Sequence, residues 1–107
     1  MALIIYRSKI FNLKELTLIG KLGADAELTE YNGNHHLRFS IAVNEGNNEK
    51  QVTHWFNVNI KGSQSYLEKL KPIFKKGSTA MVRGNFVNKI YQDKIYTEVY
   101  ADKFKIM

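Results

Sequence analysis

The 107-residue sequence contains no cysteine. That excludes a disulfide framework, a thiol nucleophile and a cysteine-bound zinc, and it fits a reducing compartment. A single proline, Pro72, leaves no proline-rich linker. The apolar stretch Ala2-Leu3-Ile4-Ile5-Tyr6 is far shorter than the roughly 20 residues of a membrane helix, and too short for a signal-peptide core. It reads as a short extra strand or an incidental N-terminal stretch, so a cytoplasmic protein is expected. Acidic residues are also scarce, with 10 Asp+Glu against 16 Lys+Arg, a net charge of +6 and a pI near 9.6. Such a surplus favours an anionic partner, nucleic acid before an acidic membrane surface, although solubility alone also accounts for it. What is present is ordinary for a folded domain: 44% hydrophobic and 24% charged residues, at a length that suits one domain over residues 1–107.

Alternation at period two is the dominant pattern. Leu16, Leu18, Gly20 and Leu22 alternate with Thr17, Ile19 and Lys21, which predicts a first strand over 14–22 after an extension of residues 1–11. Gly23 to His36 reads as a connecting segment. Its cluster Tyr31-Asn32-Gly33-Asn34 offers the positive φ angles of a tight hairpin. Leu37, Phe39, Ile41 and Val43 mark a second strand, and Asn44 to Gln51 a polar loop. A third strand over 52–61 puts Phe56, Val58 and Ile60 on one face and Trp55, Asn57, Asn59 and Lys61 on the other.

Ser63 to Lys75 turns to helical spacing, with Tyr66, Leu67, Leu70, Ile73 and Phe74 as its apolar side and Ser65 with Glu68 as a capping box. Pro72 is expected to end or kink that helix near Lys71. Strands over 79–87 and 95–101 follow, joined by a hairpin loop from Lys89 to Lys94. Three strands, one short helix and two strands predict an all-β protein: a five-stranded OB-fold Greek-key barrel that hides its edges by closure. An SH3-like barrel is the structural rival, but it usually lacks a helix at that point.

Five segments carry a resemblance. They are Leu18-Ile19-Gly20-Lys21-Leu22-Gly23-Ala24-Asp25-Ala26-Glu27-Leu28, Leu37-Arg38-Phe39-Ser40-Ile41-Ala42-Val43, Thr53-His54-Trp55-Phe56, Lys76-Gly77-Ser78 and Val82-Arg83-Gly84-Asn85-Phe86. In order and spacing they resemble the bacterial single-stranded DNA-binding proteins, from Asn12 to Ile106. The resemblance implies an OB barrel that forms a homo-oligomer, dimer or tetramer, and binds single-stranded DNA with little sequence preference in replication, recombination or repair. It also implies stacking positions at Trp55 and Tyr91. Two further aromatic positions do not carry over, because Asn47 stands where Trp is expected and Lys61 where Phe is expected. The family's acidic C-terminal tip, which recruits replication and repair enzymes, is not seen before the sequence stops at Lys105-Ile106-Met107, as expected either of a tailless relative or of a chain whose tail has been removed.

A strand held without reading its sequence needs cations along the phosphates and flat side chains against the bases. Pleat geometry turns Trp55 away from the core that Phe56, Val58 and Ile60 fill. Tyr91 lies in a polar hairpin, where lidding the barrel is the alternative to stacking. Tyr96 and Tyr100 suit bases or a subunit interface equally. Lys14, Lys21, Arg38, Lys61, Arg83 and Lys89 are the candidate phosphate contacts, with Asn57 and Asn59 as additional polar contacts.

No enzyme constellation is visible, neither a P-loop nor a Ser-His-Asp set. His35-His36 and His54 lack the further ligand a metal site needs, so no metal or cofactor is expected. Asp25 and Glu27 more readily shape a turn than act as acid and base. Two rival functions share the same features: an interaction module resembling primosomal replication protein B, and an RNA-binding OB domain.

Overall fold

The computed structural model describes residues 3–8, 14–46 and 49–107. Seven strands and one helix follow in order: β1 (Leu3–Ser8), β2 (Lys14–Leu22), β3 (Glu27–Tyr31), β4 (Asn34–Gly46), β5 (Gln51–Gly62), α1 (Gln64–Leu70), β6 (Thr79–Tyr91) and β7 (Lys94–Ile106). The alternating apolar residues set the inward face. Leu16, Leu18 and Leu22 of β2, Leu37, Phe39, Ile41 and Val43 of β4, Val58 and Ile60 of β5, Ala80 and Val82 of β6 and Val99 of β7 are all buried in one cluster.

Five strands close a ring. β2 pairs with β6, β6 with β7, β7 with β5, β5 with β4, and β4 returns to β2. The β5–β7 pairing is parallel, which requires a crossover; α1 and β6 supply it. This is the predicted five-stranded OB arrangement. Closure at β2–β4 rests on only Lys21↔Ala42 and Leu22↔Ile41. A side chain at Gly20 would run into the Ala42 carbonyl there, so glycine is what permits the approach.

The helix enters the core between β5 and β6, as the SH3-like alternative does not allow. Leu67 and Phe74 are buried, and Phe74 stacks on Phe39 at 4.9 Å and meets Phe104 edge-on at 5.9 Å. Pro72 ends α1 as expected, and a 3-10 turn over Lys71–Ile73 follows. The cap differs from the expected Ser65–Glu68 box. Ser63 is the N-cap, its Oγ accepting the Tyr66 N–H at 3.3 Å, while Glu68 takes a hydrogen bond from Gln64. Tyr66 and Ile73, expected on the apolar side, are exposed.

Two further differences have physical causes, and one expectation is met. Residues Glu27–Tyr31, read as part of a connection, form β3 against β4, turning at Asn32 (φ 51°) and Gly33 (φ 79°). Polar β3 side chains hide that strand, because an edge strand has little to bury. The Lys89–Lys94 loop is instead the end of a long ribbon, closed by only Gln92 and Asp93 at φ 50° and 62°. The apolar N-terminal stretch forms the extra strand that is one of its two readings: β1, antiparallel to β2 from Leu3↔Ile19 to Ser8↔Lys14. Asn47, the departure from the family pattern in the β4–β5 connection, lies outside the described residues.

Candidate nucleic-acid interface

Outside the barrel, strand register sets side chains in rows. β4 and β5 pair as Ala42↔Trp55, Ser40↔Asn57 and Arg38↔Asn59, with His36↔Lys61 one step further. β7 continues two of these rows through Asn57↔Glu98 and Asn59↔Tyr100, and β6 adds Val87 opposite Glu98 and Asn85 opposite Tyr100. The pairing Phe56↔Thr97 brings Tyr96, itself opposite Lys89, level with Trp55. Thus Trp55, Tyr96, Tyr100, Asn57, Asn59, Arg38 and Lys89 share one four-strand patch, although the chain separates them widely.

Trp55 is 56% exposed. Its ring reaches over β4 to Gly23 at the far side of that strand. Tyr96 and Tyr100 keep about two-fifths of their surface open, and Lys89 Nζ donates to the Tyr100 hydroxyl at 3.4 Å. Tyr91 is 65% exposed but stands at the ribbon tip opposite Lys94, two residues beyond Lys89. It belongs to an arm of the surface and not to the central patch.

Arg38 and Arg83 do not stand as free cations. Arg38 Nη2 donates to Glu98 Oε1 at 3.0 Å, and Asn59 Nδ2 donates to Glu98 Oε2 at the same distance. Glu98 is buried on the outward parity, so its two partners are what make its burial tolerable. Arg83 Nε lies 2.8 Å from Glu15 Oε1, a pair held by charge without an aligned hydrogen bond. Lys21 and Lys61 are exposed at strand ends, and Lys14 opens β2 in register with Ser8. Lys21 extends the Trp55 row across β4 through Lys21↔Ala42 and Ala42↔Trp55, whereas Lys14 and Arg83 lie further along β2 and its β6 neighbour, away from that row.

A groove of about 260 Å³ opens beside the patch, lined by Asp25, Glu27, Thr29, Arg38, Ser40 and Asn57 among others. Ser40 Oγ donates to Asn57 Oδ1 at 3.0 Å, orienting that amide. Asp25 ties two remote segments together, its carboxylate accepting the Lys76 N–H at 2.8 Å. Among the described residues no group of three or more His, Asp or Glu is arranged to hold a metal.

The sequence reading passed over Glu98, and over Lys103 and Lys105. A register shift next to Gly84 puts Arg83 opposite Lys103 and Met81 opposite Lys105. Both lysines thereby turn outward while Phe104 and Ile106 pack against the core. The signal was available: apolar parity moves from odd positions (Val99, Ala101) to even ones (Phe104, Ile106), the mark of a bulge. Glu98 gave no such signal, because its partner Arg38 is 60 residues away.

A family model described as the single-strand binding protein family matches residues 13–107. Among solved structures, the chain is similar to one described as a Plasmodium falciparum SSB complex with ssDNA, with a TM-score of 0.65 and 24% identity over 87% of this chain and 91% of that one. At that identity the likeness concerns the fold. No curated protein matches the chain.

Proposed function

The chain belongs to the single-strand binding protein family, and from that premise we propose that its outward β4–β5–β7–β6 patch holds single-stranded DNA without strong sequence preference. The observation that carries this reading is Trp55: a large aromatic more than half exposed on a strand, in line with Tyr96 and beside Lys89. Every base offers a π-face, so a stacked indole gains roughly 1–3 kcal/mol per base whatever the sequence. Lysines at 21, 61 and 89 supply the phosphate contacts around it, while Arg38 stays paired with Glu98. The solved structure of similar fold is itself described as a complex with ssDNA. The role is binding and protection of exposed strands in DNA replication, recombination or repair, with no chemistry performed on them.

A homo-oligomer, dimer or tetramer, is part of the proposal, as is a cytoplasmic location. Ile90 and Ile95 face each other across the β6–β7 ribbon, 77% and 71% exposed, and such a pair suits burial against protein. Trp55 is the sole tryptophan, so its fluorescence reports directly. Titration with oligo-dT is expected to quench it in a salt-sensitive way, and absence of quenching at low salt would sink the proposal. Competition by oligo-U then separates DNA from RNA preference, and light scattering gives the oligomeric state.

A further inference from the structure

We infer that Gly23 is a positioning residue that seats the edge of the Trp55 indole, keeping the ring's two faces open for bases; the inference rests on the stacking role proposed above. A Cβ at position 23 would lie 2.5 Å from Trp55 Cζ3 and 2.7 Å from Cη2, but 3.8 Å from Cε3. Distances nearly equal to two adjacent ring atoms, then much longer to the next, place that point off the Cζ3–Cη2 edge and close to the ring plane. A position above a face would be nearly as close to Cε3. The glycine is therefore a notch for the ring's outer edge, not a floor beneath a face.

The backbone around the notch has no room to yield. Leu22 N–H donates to the Ser78 carbonyl at 3.0 Å, Gly23 N–H to the Ser40 carbonyl at 3.1 Å, and Gly77 N–H to the Leu22 carbonyl at 2.9 Å. These bonds tie residues 22–23 to β4 and to the turn before β6. The strand between Gly23 and Trp55 carries only the small Ala42 opposite Trp55, so the indole can lie across it. With the backbone pinned and Trp55 more than half exposed, an added methyl at 23 displaces the ring and not the strand. Position 23 does not require a positive φ, so alanine is compatible with its backbone.

The test is a four-member cycle: the parent chain, Gly23→Ala, Trp55→Phe and the double variant. Phenylalanine lacks the outer ring edge that meets position 23. Gly23→Ala is expected to melt close to the parent temperature, yet to change the tryptophan near-ultraviolet dichroism and acrylamide accessibility in the DNA-free protein. Its oligo-dT affinity should fall about fivefold or more, a loss on the scale of one stacked base. In the Trp55→Phe background, followed by tyrosine fluorescence or anisotropy of labelled oligo-dT, the same alanine should change affinity by less than about twofold, the usual tolerance for independent sites.

An unchanged tryptophan signature in Gly23→Ala overturns the inference, and so does an equal affinity loss in both backgrounds. If Gly23→Ala folds poorly through crowding, Trp55→Phe should restore its melting, and failure to restore it overturns the inference too. Should the parent chain not bind oligo-dT, the binding proposal falls. The dichroism and accessibility of the free protein still decide whether Gly23 seats the ring.

Discussion

At the residue scale, two kinds of outward side chain divide the surface: those already committed to a partner and those open to one. Trp55 is open, and Trp55→Ala is expected to weaken oligo-dT binding about 5- to 150-fold, the equivalent of about 1–3 kcal/mol, with little effect on melting. Arg38 is committed. Arg38→Ala removes a partner of the buried Glu98 carboxylate and should lower stability by about 1–3 kcal/mol, seen as an earlier denaturation midpoint. Lys61→Ala at the exposed end of β5 should leave the midpoint unchanged and instead make the salt slope shallower by somewhat under one. Equal melting of the two variants would contradict this division. Outward parity was legible in the sequence for both residues, but commitment was not, since Glu98 meets Arg38 only through the β5–β7 pairing.

At the scale of elements, the helix and the β6–β7 ribbon have opposite tasks. α1 and its 3-10 turn insert Leu67 and Phe74 into the barrel, and Phe74 joins Phe39 and Phe104 in one aromatic group. Phe74→Ala is expected to cost about 3–5 kcal/mol by denaturant titration, as for other buried phenylalanines. The ribbon reaches beyond the barrel with Tyr96 at its root beside Trp55 and Tyr91 at its tip. Tyr96→Ala should therefore weaken binding of short oligo-dT, whereas Tyr91→Ala should matter only for oligomers long enough to reach the tip. A titration series in oligomer length checks both, and equal losses at every length would count against the register-based assignment. The helix was readable from spacing and Pro72, as were the core-facing strands from alternation. The ribbon's length was not, because Gln92 and Asp93 turn the chain at positive φ without a glycine, and β3 has too few buried residues to show a pattern.

At the scale of the whole molecule, the excess of lysine and arginine acts through its distribution. With Arg38 and Arg83 ion-paired, about four of the six cations named from the sequence remain for phosphates. The log of the affinity should then fall against log salt with a slope near −3, rising toward −4 if Lys103 or Lys105 joins the path. A slope near zero would mean that stacking alone holds the strand. The sequence by itself determined the inward and outward side of most strands, the place of the helix, the basic charge and the family. Each of these is a local or additive property of the chain: a period of two, a proline at a helix end, a count of charges, motifs in order. Only the tertiary structure decided which outward residues are neighbours. Closing the ring sets β7 beside β5 and so joins Tyr96, Glu98 and Tyr100 to Trp55, Asn57 and Asn59. One bulge turns two lysines outward, and bringing β2 against β4 places Gly23 at the edge of the indole. Those are long-range contacts, and no short stretch of sequence contains both partners.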